Sequence, residues 1–140
     1  MVSKTRMQRV AERIREELSE MLVQEIADPR LAGISVTDVT VDRELAYAKI
    51  YISAIEGYER WKEIQEGLKS AQGFIRRELA QRIELRTFPQ LRFIWDPTFE
   101  RAEKVERLFA QLEAERRARG ESAGEEHAED AGKGAPEDNE

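Results

Sequence analysis

Residues 68–95 read LKSAQGFIRRELAQRIELRTFPQLRFIW, and this stretch decides the fold. Leu68 and Ala71 close one apolar stripe at helical spacing, running from Trp61 and Ile64, and Ile75, Leu79 and Ile83 restart another. Gly73 lies between them. A glycine there weakens a continuous helix by roughly 1 kcal/mol relative to alanine, so a kink or short break is expected at Ala71-Gln72-Gly73. A break would free the N–H groups of Phe74, Ile75 and Arg76 as an anion site at a fresh helix start. Thr87-Phe88-Pro89 then marks a turn, and Gln90 to Trp95 a strand with Leu91, Phe93 and Trp95 on one face. Between Lys69 and Arg92 six cations (Lys69, Arg76, Arg77, Arg82, Arg86 and Arg92) face only two acids, Glu78 and Glu84. Such a helix pair can hold a phosphate backbone, or it can be a helical hairpin with a wet face. On a helical wheel Arg77 points furthest outward, while Arg76 and Arg82 border the apolar stripe on opposite sides.

Working outward towards the N-terminus, Ile34–Val41 and 46–53 are rich in Val, Ile, Thr and Tyr, with Asp42-Arg43-Glu44-Leu45 as the turn of a β-hairpin. Ala46, Ala48, Ile50 and Ile52 should face helices, leaving Tyr47, Lys49, Tyr51 and Ser53 on the open side. Two tyrosines around a lysine can stack bases, as in single-strand binders. Cross-strand pairs that simply cover the sheet explain the pattern as well, and are the commoner explanation. Before the hairpin, Met7, Val10, Ala11, Ile14, Leu18, Met21, Leu22 and Ile26 recur at helical spacing. Ser3 or Thr5 can cap this helix, and Asp28-Pro29 ends it. Arg6, Arg9 and Arg13 form one stripe away from its apolar face. Cations near the helix start oppose the helix dipole, which points modestly to an anionic partner.

Beyond the strand, Phe99–Arg119 reads as a last helix with Phe99, Ala102, Val105, Leu108, Phe109 and Leu112 on its apolar side. The segment 120–140 is rich in Gly, Ala and Glu and is expected to be disordered. It alone carries a net charge of −7 within a chain total of −6, so residues 1–119 carry +1. Charge patches, not net charge, must therefore set any affinity for nucleic acid.

With 140 residues and no cysteine, the chain fits one domain without disulfides or thiolate metal sites. No apolar run suits a signal peptide or a membrane span, and a soluble cytoplasmic protein is expected. No glycine pattern matches a phosphate-binding loop. The only histidine, His127, falls in the acidic tail, which leaves the body without the usual neutral-pH base or a histidine metal ligand. The expectation is a non-enzyme with neither cofactor nor metal. A protein-binding adaptor using the last helix is the first alternative, and a hydrolase using acidic residues the second.

The order α-β-β-α-α-β is that of a type II KH-like fold, an α+β architecture with a kinked helix pair, a three-stranded sheet and here an added C-terminal helix. Gln8-Arg9-Val10, Asp28-Pro29-Arg30, residues 45–51 (LAYAKIY), Gly73-Phe74-Ile75-Arg76, and Leu85-Arg86 with Pro89, Leu91, Phe93 and Asp96 narrow it further. Over about residues 5–110 their order and spacing resemble those of the bacterial ribosome-binding factor A family. The resemblance implies a KH-like RNA-binding domain, here expected over 1–98, followed by a helical extension over 99–119, with the acidic tail over 120–140 lying outside the resemblance. It also implies a non-catalytic cytoplasmic factor, here expected to be a monomer. Such a factor binds the immature small ribosomal subunit near its neck, contacts 16S rRNA, and assists late maturation and 5′-end processing, with a part in cold adaptation. The GXXG backbone clamp of ordinary KH domains is replaced in this family by Ala-x-Gly, matched by Ala71-Gln72-Gly73. The RNA-binding residues carried over from the resemblance are Arg9, Arg30, Lys49, Ala71, Gly73, Arg76 and Arg86. Arg6, Arg13, Arg77 and Arg82 are added on charge alone. Arg30 has a rival role, because an arginine after Asp-Pro often pins its own loop.

Overall fold

The computed structural model describes residues 1–120; the acidic tail from Glu121 onward, with His127, lies outside them. The element order is α1 (Lys4–Gln24), β1 (Ile34–Val41), β2 (Tyr47–Ala54), α2 (Trp61–Arg82), β3 (Gln90–Trp95) and α3 (Thr98–Arg119). Single 3-10 turns at Pro29–Leu31 and Tyr58–Arg60 precede β1 and α2. The chain is therefore α+β, with three helices and one mixed three-stranded sheet of order β1-β2-β3. It divides into two compact units, Met1–Phe99 and a second starting at Glu100.

The Ser3 hydroxyl accepts from the Arg6 N–H at 3.1 Å and starts α1. At the far end Asp28 caps the Pro29 turn by accepting from the Arg30 N–H at 2.9 Å. Val10, Ile14, Leu18 and Met21 bury the inner face of α1, as their spacing predicts. They share one core with Ala48, Ile50 and Ile52 of β2, all fully buried. Ala46 differs from expectation: it is exposed, because β2 begins one residue later and Ala46 belongs to the turn. That turn holds Leu45 at φ 54°, a left-handed conformation uncommon without glycine. The Asp42 carboxylate accepts from the amides of Ala46 at 2.7 Å and Tyr47 at 3.0 Å, which holds the turn in place.

β1 carries a bulge between Val36 and Asp38. The extra residue shifts the inward phase, so Val36, Val39 and Val41 are buried where strict alternation would have put position 38 inside. β2 pairs antiparallel to β1 and parallel to β3. A parallel return needs a long crossover, and α2 supplies it.

The largest departure from the sequence reading is at Gly73. No break occurs there: α2 is one helix of 22 residues, and the N–H groups of Phe74, Ile75 and Arg76 lie inside it. The two expected helices are in phase. Ile64, Leu68, Ile75 and Leu79 continue one stripe, and all four are essentially fully buried. Burying each contributes about 1.5–3 kcal/mol, against roughly 1 kcal/mol lost to the glycine. The helix wins. Gly73 itself is exposed, and an added Cβ would meet only the Arg77 guanidinium at 3.4 Å.

The glycine that packing does require is Gly67, which is buried against the Pro29–Leu31 turn. A Cβ there would stand 2.9 Å from Leu31 Cδ2, 3.1 Å from Leu31 Cγ and 3.2 Å from Arg30 Cβ. Leu31 is itself buried and cannot simply swing away. Gly67→Ala is accordingly expected to lower unfolding free energy by about 1–3 kcal/mol through overpacking, while Gly73→Ala raises it by up to about 1 kcal/mol. Chemical denaturation of the two variants checks this, and a reversed order would return the special role to Gly73.

Hydrogen bonds from the Tyr47 and Ala46 amides hold the Asp42 carboxyl below the usual carboxylate range. Its folded pKa is thus lower than the unfolded value of about 3.9. The stabilisation is complete above that value and is lost as pH falls through the folded one. Asp42→Asn should flatten the acid limb of a plot of melting temperature against pH below about 4; an unchanged limb would assign the acid sensitivity to other carboxyls.

Candidate nucleic-acid interface

The eleven residues singled out in the sequence fall into distinct structural settings. Four of the arginines have their guanidinium groups engaged by other groups of the fold, Arg13 at an exposed position. Arg76, half-buried on α2, donates from Nε to the Pro89 carbonyl at 3.1 Å and from Nη2 to the Phe88 carbonyl at 2.6 Å. Arg82 donates to Glu17 at 3.2 Å on α1 and to Glu78 at 3.4 Å on its own helix, and also pairs with Glu25. The Glu25 and Glu17 carboxylates hold its pKa well above the ordinary arginine value. The wheel placed these two side chains on opposite flanks of α2, and opposite flanks are where they act: Arg76 towards β3, Arg82 towards α1.

Arg13 donates from Nη2 to the Arg82 carbonyl at 3.0 Å, satisfying a carbonyl that the helix end leaves without a partner, and to Glu17 at 3.4 Å. Arg30 forks onto Asp28, with Nε–Oδ1 at 3.1 Å and Nη2–Oδ2 at 2.8 Å, and reaches Ser70 Oγ at 3.3 Å. The hydrogen bonds from Arg30 hold the Asp28 carboxyl below its usual range. Arg30 thus performs its rival role of pinning the turn, on which α2 packs through Gly67.

Ala71 is half-buried against the core, and Gly73 lies on the exposed side of the same helix. The residue between them has the polar contact: Gln72 Nε2 donates to the Leu91 carbonyl of β3 at 3.1 Å. β3 is an edge strand, so this bond closes one of its open carbonyls.

Five candidates remain: Arg6, Arg9, Lys49, Arg77 and Arg86 are exposed, with no side-chain hydrogen bond or ion pair among the described residues. Arg6 and Arg9 lie on α1, Arg77 on α2 and Arg86 in the segment leading to β3, whereas Lys49 stands on the open face of the sheet. Sequence reasoning passed over Arg60, which binds the carbonyls of Ala32 at 2.8 Å and Arg30 at 2.9 Å and so fixes the Pro29–Leu31 turn from the other side. It also left Arg92 without a role beyond its charge. The Arg92 guanidinium carbon sits 4.3 Å from the centre of the Tyr47 ring. The signal was available, since Tyr47 and Arg92 both occupy outward positions of neighbouring strands.

No helix among the described residues is long and apolar enough to cross a membrane, and no group of acidic or histidine side chains there could hold a metal ion.

Residues 6–109 match the family profile of ribosome-binding factor A. A ribosome-binding factor A from Aromatoleum aromaticum is 41% identical over 108 residues, covering 77% of this chain and 85% of that protein. One from Thermosynechococcus vestitus is 44% identical over 114 residues, covering 80% of this chain and 90% of that one. The crystal structure of ribosome-binding factor A from Thermus thermophilus superposes with a TM-score of 0.57 at 24% identity, over 64% of this chain and 93% of that one, a likeness that speaks for the fold. With the profile spanning most of the chain and relatives above 40% identity, the protein belongs to the ribosome-binding factor A family.

Proposed function

We propose that this protein is a non-catalytic assembly factor that binds the immature small ribosomal subunit and its 16S rRNA, and assists late maturation and 5′-end processing. In this reading it acts in the cytoplasm as a monomer and supports growth in the cold. Family membership supports ribosome binding. The observation that carries RNA contact is the set of exposed cations (Arg6, Arg9, Lys49, Arg77, Arg86) that the fold leaves without partners. Arg13, Arg30, Arg76 and Arg82 serve RNA indirectly, by shaping the surface on which the others stand. Without a broken helix, a backbone clamp at Ala71-Gln72-Gly73 has no free amides to offer, and recognition runs through shape and phosphate charge.

Sedimentation of the tagged protein in bacterial lysate across a salt series tests this. Migration with free or immature small subunits, lost as salt rises, is expected; protein that stays at the top of the gradient even at low salt would overturn the proposal. If all five unpaired cations meet phosphate, the slope of log affinity against log salt is about −4. A near-zero slope would rule out phosphate contact as the basis of binding.

A second reading rests on α3, whose Val105, Leu108, Phe109 and Leu112 are all exposed. An apolar helix side of this kind suits a protein partner. Association that survives nuclease but is lost on truncation after Pro97 would favour it.

Charge reversal separates the two sets of arginines. Arg77→Glu and Arg86→Glu should weaken subunit binding while shifting the melting temperature by less than about 2 °C, whereas Arg82→Met should lower it by about 4 °C or more. Equal melting shifts in all three would mean that Arg77 and Arg86 also hold the fold.

A further inference from the structure

The open face of the sheet carries an arrangement that folding alone does not favour. Lys49 of β2 and Arg92 of β3 are direct neighbours in the parallel register, so two cations project side by side from strands about 4.8 Å apart. Like charges placed in this way are destabilising. Neither side chain has an ion-pair partner among the described residues, and both are exposed. The neighbour of Lys49 on its other side is Thr40, which is neutral. Asp38 of β1, opposite Tyr51 in the next row, has its carboxylate engaged by the Val39 amide at 2.9 Å.

Beside this pair stands Tyr47, 43% exposed at the start of the central strand β2. The Arg92 guanidinium lies over its ring at 4.3 Å, within the range of a cation–π contact. That contact restrains both side chains before any ligand arrives. A ring and a guanidinium already stacked on each other, beside a second cation, form a platform of the kind unpaired nucleotides use: a base extends the stack, and the flanking phosphate relieves the repulsion between Lys49 and Arg92. A paired strand cannot use the site in this way, because its bases are already stacked within the helix.

We propose that Tyr47, Lys49 and Arg92 form a base-stacking site for unpaired RNA nucleotides on the face of the sheet opposite α1 and α2. The inference rests on the RNA-binding reading above and deepens it by naming the form of RNA that this face takes.

The test measures fluorescence anisotropy of a labelled single-stranded oligoribonucleotide of about eight residues, a length suited to one small domain, and of the same strand annealed to its complement. Full-length wild type, Tyr47→Ala and Tyr47→Phe are compared. Loss of one stacking aromatic should weaken single-strand binding by roughly five- to a hundredfold. Tyr47→Phe should bind and melt like wild type, neither substitution should change duplex binding, and Tyr47→Ala should lower the melting temperature by no more than about 5 °C through the lost ring contact. Unchanged single-strand affinity in Tyr47→Ala would overturn the site, as would an equal loss for single strand and duplex, which would mark a general charge or folding effect. A wild type that sediments with small subunits yet ignores the single strand, or prefers an acidic peptide to it, removes this site and leaves the assembly-factor reading standing. Failure to sediment with subunits as well would remove both.

Discussion

The fold depends on bringing β3 back beside β2 in the parallel sense. A hairpin cannot make that connection, so the chain must cross over the sheet through α2 and land in register. Apolar burial along Ile64, Leu68, Ile75 and Leu79 holds the helix to the sheet, but apolar contact does not specify where the returning strand stops. Polar contacts specify it. Arg76 grips the carbonyls of Phe88 and Pro89 just before β3 begins, and Gln72, one helical turn earlier, takes the carbonyl of Leu91 just inside it. The far end is closed by aromatic packing: Trp95 meets Trp61 at 5.6 Å and Tyr58 at 5.8 Å between ring centres. With β3 located at both ends, β2 becomes a central strand, and its inward side chains Ala48, Ile50 and Ile52 lose all contact with water.

The same economy of positions explains why a segment so rich in arginine is not uniformly a binding surface. An arginine bordering the apolar stripe of a helix reaches a neighbouring element before it reaches solvent, and its fork of donors then finds backbone carbonyls or glutamates. Arg76 and Arg82 are of this kind. An arginine on the outer meridian finds only water, and Arg77 is of that kind. Charge counting weights all three equally. Position relative to the buried stripe separates them, and helical periodicity alone gives that position.

Much of the architecture was legible in the chain for definite reasons. β1 and β3 fall where their β-branched and aromatic runs place them, and the inner face of α1 follows its three- and four-residue spacing. The helix break at Gly73 was misread because a local propensity was weighed without the burial on either side of it, and the burial is several times larger. Gly67 escaped notice for the converse reason: its importance lies in the approach of Leu31 and Arg30 from a distant turn, and no local pattern carries that. The bulge in β1 was hidden in the spacing of Val36, Val39 and Val41, which breaks period two. For the interface, exposure of the cations was legible and their partners were not. An ion pair such as Arg82–Glu17 joins residues 65 positions apart in the sequence.

What remains on the surface is therefore a residue of the folding problem, and its composition is informative. Residues 1–119 carry a net charge of only +1, so no broad field draws the protein onto RNA. The acids of the helical layer are used alongside arginines, as in the cluster of Glu17, Glu25 and Glu78 around Arg82. Neutralising part of the charge in this way leaves unpaired cations on α1, α2, β2 and the segment before β3. Separated point contacts bind weakly to a featureless phosphate rod. They bind well only where a folded RNA presents phosphates at matching separations, because every contact is then made at once and none must be gained at the cost of another. In a body this close to neutral, the placement of the unpaired cations counts for more than their number towards any anionic partner.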